Sequence, residues 1–132
     1  MKKIAYYENL PETMDQVSVE NEFEELLASK GNYESNDFLE CLYEVSSRQV
    51  LNYCLIDRSL IQAISSIIIE EWNTASIDST ESCIAIIINL GLQEAWEYMI
   101  GKVSSIDLEE IRAEILETYK EVGNSVEDVS II

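Results

Sequence analysis

The chain has 132 residues, of which 26 are acidic and 8 basic, with no histidine and a formal charge of -18 at pH 7. Eight scattered basic residues make no patch for a nucleic-acid backbone, and the absence of histidine removes the commonest general base. An apolar share of 47% separates the chain from charged disordered sequences, which bury too little apolar surface to offset ordering entropy, so one folded domain over residues 1–132 is expected.

Residues 1–14 read as an N-terminal extension with a short extended piece around residues 3–7. Lys2 and Lys3 give the charge of an export signal, but Tyr6, Tyr7 and Glu8 interrupt the apolar stretch that must follow. The apolar runs at residues 67–69 and 84–88 fall far short of the ~20 residues of a membrane span. Cys41, Cys54 and Cys83 each lie amid apolar neighbours, which fits buried reduced thiols and a cytoplasmic protein with no membrane partner.

From residue 15 onward the apolar positions recur at helical spacing. Residues 15–30 place Val19, Phe23, Leu26 and Leu27 on one face and Glu20, Glu22, Glu24 and Glu25 on the other, with Gly31 as a left-handed stop. Ser35 is positioned to cap a second helix carrying Phe38, Leu39, Leu42 and Val45, and Ser47 a third carrying Val50, Leu51, Cys54 and Leu55. Asp57 opens a fourth, to about Trp72, with Leu60, Ile61, Ile64, Ile67 and Ile68 inside. Asp78-Ser79-Thr80-Glu81 has the spacing of a capping box ahead of a fifth helix, whose isoleucines leave almost no polar side until Gly91. Such a helix must be sandwiched between neighbours. A sixth runs from about Leu92 to Ile100 and stops at Gly101. A seventh begins near Ser105, carries Leu108, Ile111, Ile115, Leu116, Tyr119 and Val122, and stops at Gly123, leaving residues 124–132 as a tail. Ile64, Ile68, Ile87, Ile111 and Ile115 are the expected continuous core.

Gly91 and Gly123 stand 32 residues apart, each after a bulky residue, two spacers and an aliphatic residue, and each at the end of the second helix of a pair. That period fits an α-solenoid, in which each pair buries its face by stacking on the next. The expected fold is therefore all-α: a compact solenoid-like stack of about three helical pairs behind the N-terminal extension.

No serine or cysteine has an evident basic partner, no glycine-rich loop is spaced to cradle phosphate, and Asp15, Glu22 and Glu24 lack the spacing of a calcium loop. The expectation is a protein without catalytic activity, metal or cofactor. Its charge points to a basic protein as partner, since complementary fields speed encounter and select against wrong partners.

Residues 59–128, with Leu-Gly-Leu-Gln-Glu-Ala-Trp-Glu-Tyr at 90–98, the acid-led helix at 105–122 and the tail Glu121-Val122-Gly123-Asn124-Ser125-Val126-Glu127-Asp128, resemble the small HEAT-like immunity proteins of bacterial polymorphic toxin and contact-dependent growth inhibition systems. The resemblance covers the C-terminal half; where such families often have an Asp-Pro step, this chain has Asp128-Val129. It implies an immunity protein that binds the toxic C-terminal domain of a large secreted effector, often a nuclease, and blocks its active site or substrate channel. A nuclease cleft must hold phosphates and is basic, so carboxylates suit it. Candidate partner-binding residues outside the apolar stripes are Glu70, Glu71, Glu94, Glu97, Glu109, Glu110, Glu114 and Glu117. Trp72, which follows two glutamates, and Trp96 are candidate aromatic anchors, each also compatible with core packing. The same charge suits an acidic nucleic-acid mimic, such as an anti-restriction or anti-CRISPR inhibitor, or a helical adaptor.

Overall fold

The computed structural model describes residues 1–52 and 56–127, and among them every regular element is helical. The α-helices are α1 (Ile4–Glu8), α2 (Gln16–Ala28), α3 (Ser35–Val50), α4 (Arg58–Glu71), α5 (Ile77–Leu90), α6 (Gln93–Lys102) and α7 (Glu109–Val122). They build an all-α stack. One row runs α3, α5, α7, with the α3 to α5 contact the most extensive in the molecule. Below it α4 packs against α6, both touch α5, and α1 and α2 lie on α3. None of the described helices is long and apolar enough to cross a membrane.

Polar side chains at the helix starts fix most of these boundaries. Asp15 accepts from the Ser18 amide at 2.8 Å, which supports α2 and holds its carboxyl below the usual range. Asp57 does the same for α4, accepting from the Leu60 amide at 3.2 Å and from the Ser59 hydroxyl. The α5 cap is Ser76, accepting from the Ser79 amide at 3.1 Å, so the expected box at 78–81 lies inside the helix and Glu81 is free of capping duty. Gly91 ends α5 at φ 66°, in the left-handed region as expected, and Gly123 ends α7 at φ 73°.

Other expected boundaries are corrected. Gly31 sits in a 3-10 turn without positive φ, because Ser29 closes α2 by donating its hydroxyl to the Glu25 carbonyl. Ser35 falls in the first turn of α3 after Glu34, and the start expected at Ser47 lies inside the same helix, which runs on to Val50. Ser47 turns its hydroxyl back to the Glu44 carbonyl at 2.8 Å instead of capping a new start. Val50 and Leu51, expected inside, are 48% and 43% exposed; Cys54 and Leu55 lie outside the described residues. α6 continues through Gly101 into a 3-10 turn, and Ser105 belongs to that turn while α7 starts at Glu109.

Both ends of the described chain are fastened by side chains. The piece around residues 3–7, expected to be extended, is extended only at Lys3 and otherwise falls in α1, whose Tyr7 is buried against α3. The Arg48 guanidinium pairs with Glu44 at 2.7 Å and donates to the carbonyls of Glu8, Leu10 and Pro11, while the Tyr33 hydroxyl holds the Lys2 carbonyl. At the other end Gln93 donates to the Asn124 carbonyl at 2.7 Å and accepts from the Val126 amide at 2.9 Å. Trp96, fully buried, donates its indole N–H to the Gly123 carbonyl at 2.9 Å.

The core follows the expected stripes. Ile64, Ile87, Ile111 and Ile115 are wholly buried and Ile68 is 1% exposed. In α5 burial takes Cys83, Ile84, Ile86, Ile87 and Leu90, because α3, α4, α6 and α7 all pack around that helix. Cys41 and Cys83 are free buried thiols, pushed up by burial to about 11 and about 12.

Candidate protein-binding surface

The eight candidate glutamates separate into three places. Glu70 and Glu71 end α4, and the Lys30 ammonium lies 3.8 Å from a carboxylate oxygen of each. Their charge is partly spent inside the molecule. Trp72 is 7% exposed, donates its indole N–H to Thr80 Oγ1 at 2.9 Å and meets the Tyr98 ring edge-on at 6.4 Å. It is a core ring and not one held out to a partner, because the turn after α4 points the indole inward onto α5. Trp96 is likewise core.

The second group lies on α7, which carries five glutamates against Arg112 and Lys120. Its inward stripe is Ile111, Ile115 and Thr118. One residue back at each position, Glu110, Glu114, Glu117 and Glu121 form a single stripe at spacings of four and three, while Glu109 falls on the opposite flank with Leu116. Among the described residues no ion pair reaches these four carboxylates. Glu114 is half-buried, and its carboxyl is raised above the usual range by desolvation and then by Glu81 of α5, Glu117 and Glu121. Glu81 thus extends the acidic surface across two helices.

That direction fixes a stability prediction. A carboxyl whose folded-state pKa is raised costs stability above that pKa, and the cost disappears as pH falls through it. Glu114→Gln is expected to raise the urea midpoint at neutral pH and to lose this gain at about pH 4. A midpoint shift equal at both pH values would contradict the repulsion among Glu81, Glu114, Glu117 and Glu121.

The third group borders a half-open groove of 510 Å³ between α4 and α6, with Glu94 and Glu97 on one rim. Leu90 and Leu92 line its floor, and Arg58 and Glu127 complete its polar edge. Glu97 is oriented by the Gln93 amide at 2.9 Å.

Sequence reasoning missed Glu81, Glu121, Arg58 and Glu127, and misplaced two apolar residues. Leu108 and Leu116, expected inside, are 44% and 48% exposed. The signal for Leu116 was its offset: it follows the inward Ile115 by one residue, about 100° around the helix. It is exposed with Glu109 on the flank away from the carboxylate stripe.

Comparison with known protein families, characterised proteins and solved structures finds no match to the chain.

Proposed function

We propose that the protein is an inhibitory binding partner of a basic protein, acting as an immunity protein that captures a cognate toxin domain, such as a nuclease, and blocks its active site or substrate channel. The observation that carries the reading is the α7 stripe. Glu114 lies within reach of repulsion from Glu81, Glu117 and Glu121, and Glu110 stands one turn earlier on the same stripe. A cationic cleft relieves that repulsion on contact, whereas water and salt do so only in part. The protein itself performs no chemistry in this reading; its carboxylates occupy the place of substrate phosphates.

Co-expression with the product of the adjacent upstream gene tests it. A complex and rescue of growth are expected, with an association rate that falls about tenfold or more from dilute to physiological salt and a dissociation rate that changes little. Glu110→Lys with Glu114→Lys is expected to slow association by about tenfold, and the Gln pair by less. No complex, or a complex without rescue, removes the immunity reading. Salt-insensitive association of a complex that does form removes the role given to α7.

A further inference from the structure

We infer that the groove between α4 and α6 is a second contact point, seating a segment of the partner in which a basic residue flanks an apolar one. The inference rests on the reading that the partner is a basic protein and names what this site takes from it. Ile61, Leu90 and Leu92 give the groove an apolar lining, and its 510 Å³ suits a short run of side chains better than a lone ion. Its rim carries Glu94, Glu97 and Glu127 against Arg58, three negative charges to one positive. An acidic or purely apolar occupant would leave Glu94 and Glu97 desolvated without a compensating charge, whereas a lysine or arginine beside an apolar anchor satisfies both rim and floor.

The wall is also fixed before anything binds. Gln93 orients Glu97 through its side-chain amide and holds the Asn124 carbonyl with the same nitrogen, while its oxygen takes the Val126 amide. Ser65 of α4 accepts from the Ala95 amide at 3.1 Å, tying the two walls together. Little ordering entropy is left for an occupant to overcome. The α7 stripe lacks this combination: it is a charged surface, suited to encounter, and the groove is a shaped one, suited to retention.

The test is a titration of isotopically labelled protein with three synthetic peptides, Lys-Leu-Lys-Leu-Lys, an all-lysine pentamer and Glu-Leu-Glu-Leu-Glu, read by backbone amide shifts. Lys-Leu-Lys-Leu-Lys is expected to move Ile61, Gly91, Leu92 and Glu94 and to bind about tenfold more weakly to Glu94→Lys/Glu97→Lys, two reversed rim contacts at the usual strength of exposed pairs. Equal affinity for the all-lysine or the Glu-Leu-Glu-Leu-Glu peptide, or shifts confined to the α7 stripe, overturns the inference. So do shifts that grow with protein concentration without peptide, which assign the groove to a second copy. Contacts from Ile131 or Ile132 to Ile61 overturn it as well, by assigning the groove to the chain's own end. In the toxin complex, Glu94→Lys/Glu97→Lys is expected to speed dissociation. Unchanged dissociation sinks the groove's role and leaves the immunity reading standing; absence of any toxin complex, with Lys-Leu-Lys-Leu-Lys still seated, does the reverse.

Discussion

Replacing Trp96 with alanine is expected to cost ~3–5 kcal/mol, a large part of the ~5–15 kcal/mol that holds a domain together, and to lower the melting temperature by roughly 10–20 °C. The ring is wholly buried, so its removal forfeits transfer energy and leaves a void that rigid helices fill only in part. Its indole N–H also holds the Gly123 carbonyl, so the turn that closes α7 loses its tie to α6. Trp96→Phe separates the two effects. It keeps most of the apolar contact, drops the hydrogen bond, and is expected to cost ~1–2 kcal/mol. Thermal and urea unfolding of both variants check this; an alanine variant within ~0.5 kcal/mol of the parent would place Trp96 at the surface.

Ile87→Ala is expected to cost ~2–5 kcal/mol, read as a lower urea midpoint at unchanged slope. Ile87 is wholly buried in α5, the helix packed against α3, α4, α6 and α7. Four neighbours cannot all move inward to fill one cavity. The adjacent Ile88 is only half-buried, and Ile88→Ala is expected to cost less. Equal costs at the two positions would contradict the deeper burial of Ile87.

The legible parts of the fold are those set by local spacing. Val19, Phe23 and Leu26, or Ile64 and Ile68, declare an inward face, and Gly91 and Gly123 stop their helices because positive φ suits glycine. The misread parts depend on choices that a residue type leaves open. Ser47 is as able to cap a helix as to bond back to the Glu44 carbonyl, and only the uninterrupted packing of α3 on α5 selects the second. α1 has five residues, too few to show a period, and is held by Arg48, some forty positions away. In the candidate surface, Glu110, Glu114 and Glu117 of α7 were legible because their spacing is local. The pairing of Glu70 and Glu71 with Lys30, the burial of Trp72, and the approach of Glu81 to Glu114 join distant positions, which no single stripe reveals.

In the row α3, α5, α7 each helix answers mainly to its immediate neighbour, so the molecule behaves as a short one-dimensional chain of couplings. α7 terminates that chain, touching α5 and latched at its far end by Trp96 and Gln93. A load placed on α7 reaches the rest of the row through its contact with α5. The α3 end is joined to the rest by the broadest contact, so unfolding is expected to begin at α7 and reach α3 last, an order that amide exchange along the row reads directly.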